Sequence, residues 1–291
     1  MSERIIELHS LDGVKINGYL MSGDRNNKNV LIEIHGMTSN CFKKRERVIA
    51  KTLKNVGIDT ICINTRGSEI VKYIKYNDVR RELAGTAYED IEESYYDLMG
   101  VIKYALSLGY KDIYLQGHSL GATKVVYTYT KMKEKQVEEL KNIKGIILLS
   151  LVDIPDMFKT YFSKKYLSYA EEKEKNGQVL ELMPHDTFIH PISVKTYLKY
   201  AKYNSKINFA QYSNENYDFD TLNKIDVPLF MRWGNDNELI RKSAQEQVEL
   251  MRRVIKKKDV DINFIDGANH SYNGKETELA NDIATFLKKV Q

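Results

Sequence analysis

Apolar and polar positions along the chain change pattern many times, and each change predicts an element. Val30-Leu31-Ile32-Glu33-Ile34 and Ile146-Ile147-Leu148-Leu149 are nearly unbroken apolar runs. That is the signature of parallel strands covered on both faces. Ile58 to Asn64, Asp112 to Gln116, Val227 to Trp233 and Val260 to Ile265 read as further strands. Arg4 to Ser10 and Val14 to Met21 flank Leu11-Asp12-Gly13 as a hairpin. Helical spacing covers about Phe42 to Asn55, the stretch beginning at Ala122, and the stretch from about Lys275 to the end. Thr86 and Glu89 have the spacing of a capping box, which predicts a helix running to about Leu108, where Gly109 stops it. Strands alternating with helices predict an α/β architecture: a mostly parallel sheet with helices on both faces.

The alternation breaks between Asp153 and Asn223. That segment has helical periodicity and many aromatic residues, among them Phe158, Tyr161, Phe162, Phe188, Tyr197 and Tyr200. It reads as a helical cap inserted between two sheet strands. Residues 1–152 and 224–291 then form the core, and 153–223 the cap or lid. The Tyr197-Tyr200 pair, at helical spacing, is expected to pack inside. Other rings facing a cleft would suit an acyl or aromatic substrate group.

Composition changes this picture little. The 291 residues are 42% hydrophobic and 29% charged, a globular profile. The 44 basic residues against 40 acidic leave a net charge of +4, too small and dispersed to suggest nucleic acid. The alternating charges from Lys131 to Glu139 predict a solvated helix face rather than a membrane patch. No run approaches the roughly 18 apolar residues of a membrane helix. The N-terminal residues lack an apolar signal segment, and Cys41 and Cys62 do not form a disulfide framework, so a reducing, cytoplasmic location is expected. Cys62 lies within an apolar strand and is expected in the core, whereas Cys41, at the start of a helix, could be exposed.

The chemistry concentrates in Gly117-His118-Ser119-Leu120-Gly121, placed between a strand and a helix. A serine on such a sharp turn is held out with its hydroxyl free to attack, and the strained turn leaves room only for glycine two positions either side. Ser119 is therefore the candidate nucleophile. His270 follows a strand on the loop Asp266-Gly267-Ala268-Asn269-His270-Ser271 and is the candidate base. His35-Gly36-Met37 ends an early strand. A backbone N–H there can meet a developing oxyanion, so the amides of Met37 and Leu120 are the candidate oxyanion hole. The His35 side chain itself is expected to pack.

With His35-Gly36, Asn64-Thr65-Arg66-Gly67, the Ser119 turn and Ala268-Asn269-His270-Ser271 in this order, the chain resembles the α/β-hydrolase superfamily over nearly its whole length outside the insertion. Gly85-Thr86-Ala87-Tyr88-Glu89-Asp90 and Gly109-Tyr110-Lys111 are similar to an esterase-like branch of serine hydrolases. The resemblance implies an α/β-hydrolase sheet and cleavage of a small-molecule acyl ester or thioester through an acyl-enzyme. An acyltransferase, or a non-hydrolytic ligand-binding member of the same fold, is the alternative. The resemblance also implies an aspartate three residues after Gly234, but Asn237 stands there. Asp236 is taken as the triad acid, with Glu238 as the alternative, Asn237 itself in a slow enzyme as a third, and Asp153 as a lesser substitute. No cofactor is implied. His185, Asp186 and His190 match no helical ligand spacing and sit in a turn bracketed by Pro184 and Pro191, so no metal is expected. Arg66 is expected to shape a turn. Oligomeric state is open.

Overall fold

The apolar runs form strands whose alternate residues serve two separate cores. The computed structural model describes residues 2–23, 27–77, 79–202, 207–236 and 242–291. β1 (Ser2–His9) and β2 (Lys15–Ser22) make the antiparallel hairpin. β3 (Asn29–Ile34), α1 (Lys44–Lys54) and β4 (Asp59–Ile63) follow. β5 (Lys72–Tyr76) and β6 (Arg80–Ala84) form a small antiparallel ribbon outside the main sheet, a hairpin the sequence reading does not contain. The chain continues through α2 (Ser94–Ser107), β7 (Asp112–His118), α3 (Leu120–Glu134) and β8 (Ile143–Leu149). Between β8 and the next sheet strand lie α4 (Ile154–Tyr161), α5 (Leu167–Lys175), α6 (Val194–Ala201) and α7 (Asp220–Asn223). β9 (Leu229–Gly234), α8 (Ala244–Val254), β10 (Val260–Ile265) and α9 (Glu276–Val290) complete the fold.

The eight-stranded sheet has the order β1-β2-β4-β3-β7-β8-β9-β10. β2 runs against both of its neighbours, and every other pair from β4 to β10 is parallel. Leu31, Tyr114, Ile147, Leu149 and Phe230 pack beneath Ile49 and Leu53 of α1 and Leu279 and Ile283 of α9. Their chain neighbours Ile32, Leu115, Ile146, Leu148 and Met231 enter the other core with Leu98 and Ile102 of α2, Val125 of α3 and Val248 of α8. Strand period two thus fills both faces, at about 1.5–3 kcal/mol for each large side chain fully buried. Among the described residues, no helix is long and apolar enough to cross a membrane.

Two local expectations are corrected. The helix predicted from Thr86 begins only at Ser94, after single 3-10 turns at Thr86–Tyr88 and Ile91–Glu93. The Thr86 hydroxyl instead accepts the Thr38 N–H at 2.8 Å, and the Glu89 carboxylate meets Lys124. Tertiary partners outcompete the capping box. Gly109, with φ of 89°, does end α2 as predicted. Cys41 is fully buried beside Cys62, ahead of a helix that starts at Lys44; its N–H donates to the Asn64 side chain at 2.8 Å. Tyr197 and Tyr200 are buried as expected.

The carboxyl ends of the parallel strands lie along one rim. Ile34 of β3 pairs with Gly117 of β7, and Gly234 of β9 with Ile265 of β10. The loops carrying Met37, Ser119, Asp236 and His270 therefore leave the sheet at the same edge, where ligands of open α/β sheets bind.

Candidate active site

Ser119 sits at the junction of β7 and α3 with φ 55° and ψ −124°, a conformation that side-chain-bearing residues adopt rarely and at a cost of about 1–3 kcal/mol. Its N–H donates to the Leu149 carbonyl at 2.8 Å, and its own carbonyl accepts the Ala122 N–H at 2.9 Å. The backbone is pinned from both sides. A Cβ on Gly117 would fall 2.2 Å from the Gly121 carbonyl oxygen, and one on Gly121 would fall 2.3 Å from that of Ile34. Neither position can hold another residue without moving main chain. The turn thus has the strained form and the glycine requirement read from the sequence.

His270 and Ser119 line one cavity of about 570 Å³. Buried side chains hold the loop carrying His270. His118, next to the serine, contacts the His270 carbonyl through Nε2 at 2.7 Å, and the two imidazole rings lie 4.9 Å apart. A carbonyl can only accept, so Nε2 of His118 carries the proton. Burial, reinforced by the Arg45 charge, drives the His118 pKa well below the ordinary range and keeps that ring neutral. Arg45 donates through Nη1 to the Ser271 carbonyl at 3.4 Å, a long bond. The Asn269 side chain accepts the Ser271 and Asn273 N–H groups, each at 3.1 Å. The Tyr272 hydroxyl donates to the Arg232 carbonyl at 2.9 Å.

On the other side of Ser119, His35 is fully buried, as its packing role requires. Its Nδ1 donates to the Gly36 carbonyl at 2.8 Å, and its Nε2 accepts the Thr65 N–H at 3.1 Å. Burial, then the Lys124 charge, lowers its pKa to about 3. This neutral ring fixes the chain as it leaves β3. The Thr38 and Ser39 N–H groups are engaged by Thr86 and by the Gly36 carbonyl. The Met37 N–H has no acceptor among the described residues, and Met37 lines the cavity. Leu120 is the first residue of α3, where an N–H has no partner within the helix.

Beneath this floor lies a buried polar network. Lys124 and Glu89, 0% and 1% exposed, pair at 2.5 Å, and Lys124 also donates to the Thr65 hydroxyl at 3.3 Å. Arg66 binds the Asp97 carboxylate through its N–H, Nε and Nη2 and reaches Asp12 at 2.7 Å. It shapes the turn after β4, as expected.

Asp236 is exposed, and its N–H donates to the Ala268 carbonyl at 2.9 Å. Asn235 adds two bonds to the same loop, donating to Asp266 at 2.7 Å and accepting the Gly267 N–H at 2.6 Å. The loop after β9 is thereby tied to the loop of His270. Asn237 and Glu238 lie outside the described residues. Asp153 is otherwise engaged: its two oxygens accept the N–H groups of Asp156, capping α4, and of Tyr212. Burial pushes its pKa up to about 6.

Met157, Tyr161, Phe188, Ile189 and His190, from the segment between β8 and β9, line the same cavity as Ser119. His190 sits in a Pro-bracketed turn by sequence, and Lys43, Lys44 and Arg45 also line the space. No local pattern marks any of them, because their place follows from tertiary packing alone. Asp186, between the two histidines, is bound by Lys165 and Tyr166. Among the described residues, no three potential metal ligands cluster.

No protein-family model matches the sequence, and no curated protein matches it. Solved structures do. Est1E from Butyrivibrio proteoclasticus, in a structure with ferulic acid bound, is similar with a TM-score of 0.67 at 17% identity, covering 97% of this chain and 98% of that one. The α/β hydrolase GrgF from Penicillium sp. sh18 gives a TM-score of 0.68 at 15% identity, covering 100% and 99%. The mouse α/β hydrolase domain-containing protein 10 gives 0.60 at 14%, covering 99% and 100%.

Proposed function

This chain has the α/β-hydrolase fold, and from that premise we propose that it is a serine hydrolase acting on a carboxylic ester or thioester. The observation that carries the reading is the strained Ser119 turn opening into the same cavity as His270. A fold alone does not fix a function, so the reading rests on these side chains. The esterase neighbour with ferulic acid supports a small-molecule ester as substrate.

In the proposed reaction His270 takes the Ser119 proton as the hydroxyl attacks the carbonyl carbon. The Met37 and Leu120 amides receive the oxyanion; fixed donors of this kind are worth about 100- to 1,000-fold each. The leaving group departs with the proton returned by His270, leaving an acyl-serine. Water, deprotonated by the same imidazole, then releases the acid. The inserted helices act as a lid whose rings receive the apolar part of the substrate.

Labelling by a fluorophosphonate tests the reading. The wild-type protein should label, and Ser119→Ala should not. An unlabelled wild type would favour a non-hydrolytic, ligand-binding member of the fold. An excess of ester over free acid among the products with added alcohol would favour acyl transfer.

Asp236 is proposed to orient His270, with Glu238 as the alternative acid. Replacing the acid with an amide permits the wrong imidazole tautomer, at a cost near 10,000-fold in serine proteases. Asp236→Asn is expected to lower kcat by about that order with KM little changed. The same loss in Glu238→Gln, with Asp236→Asn near wild type, would transfer the role to Glu238.

A further inference from the structure

We propose, building on the hydrolase reading, that the substrate carries an anionic group, a carboxylate or a phosphate, seated against the start of α1 while its apolar part lies against the segment between β8 and β9. The cavity has two unlike walls. Met157, Tyr161, Phe188 and Ile189 form the apolar one. Lys43, Lys44 and Arg45, where α1 begins, form the other. Among the described residues lining this space there is no aspartate or glutamate, although the chain has almost as many acidic as basic residues.

The surrounding charges leave this wall positive. Lys44 pairs with Glu276 at 3.0 Å, and Arg45 pairs with Glu46. Lys43 is exposed and makes no ion pair with any described residue. It is also the N-cap of α1, and its side chain makes no cap bond to the first turn of that eleven-residue helix, whose acidic residue, Glu46, is paired with Arg45. Helix dipole and ammonium therefore act together on an anion. Glu33 is fully buried, and burial, then the Glu46 charge, holds its carboxyl well above the ordinary range. The neutral His118 adds no charge of its own. A volume of about 570 Å³ accommodates a small ester with both parts in place.

The test uses the full-length Ser119→Ala protein, so that binding is read without turnover. Three ligands are compared by calorimetry: the butyrate ester of 4-hydroxybenzoate, its neutral methyl ester, and the analogue with phosphate in place of carboxylate. At least one anionic ligand should bind about tenfold more tightly than the neutral one, a difference of about 1.4 kcal/mol. The carboxylate and phosphate arms identify the preferred anion. The preference should shrink in about 0.5 M salt and be lost on adding Lys43→Gln, a change at an exposed position that leaves the fold intact. Equal binding of all three ligands, or a preference that survives Lys43→Gln, overturns the proposal. Wild-type turnover of all three esters is measured in parallel. Turnover without anion preference removes this inference alone. Anion preference without turnover of any ester removes the hydrolase reading and leaves the anion site standing.

Discussion

Ser119→Ala is expected to reduce hydrolysis of an activated aryl ester by about a million-fold, the order seen when a triad nucleophile is removed. The substitution deletes one oxygen and leaves the turn as it is. The conformation at φ 55° is imposed by the bond to the Leu149 carbonyl and by the close approach of Gly117 and Gly121. Alanine carries the same backbone strain as serine there, so thermal stability should be nearly unchanged. A full loss of turnover with an unshifted melting curve isolates the hydroxyl. Retention of more than about a hundredth of the wild-type rate would remove Ser119 as nucleophile, since the residual rate then exceeds what binding and oxyanion donors supply.

Lys124→Met is expected to cost about 3–5 kcal/mol of folding stability, the price of leaving one buried charge without its partner. Against a total of about 5–15 kcal/mol, that is a large share. Glu89 is 1% exposed, and its second oxygen already lacks a hydrogen-bond partner among the described residues. Methionine fills the space of the lysine stem but offers no donor. Adding Glu89→Gln removes the orphaned charge, so the double variant should recover most of the loss. Denaturant titration of the wild type, both single variants and the double variant measures the coupling. A single variant within about 1 kcal/mol of wild type would mean that the carboxylate finds another partner. Lys124 also donates to the Thr65 hydroxyl, and Thr65 bonds His35. The damage should therefore reach the Met37 loop and slow turnover as well.

The sheet was legible because its signals are local. Leu31 and Ile32 enter different cores, and a strand buried on both faces must be apolar at consecutive positions. The serine turn was legible because its geometry forbids a Cβ at two fixed offsets. What the sequence hid depends on distant partners. Thr86 and Glu89 have capping chemistry, yet Thr38 and Lys124 claim their side chains. Lys124 reads as one more polar residue on a helix, and only the fold reveals that it is wholly buried. The ribbon Lys72–Tyr76 and Arg80–Ala84 is largely exposed and rich in charge, so burial left little apolar alternation to read. His190 and Lys43 reach the cavity from segments far apart in the chain, and no spacing rule joins them.

His118 and Arg45 grip two consecutive carbonyls of the loop that bears His270, and one of those grips comes from the residue bonded to Ser119 itself. The imidazole and the hydroxyl are thus yoked through the main chain. Under the proposed reaction, the pair is held in place before any substrate arrives.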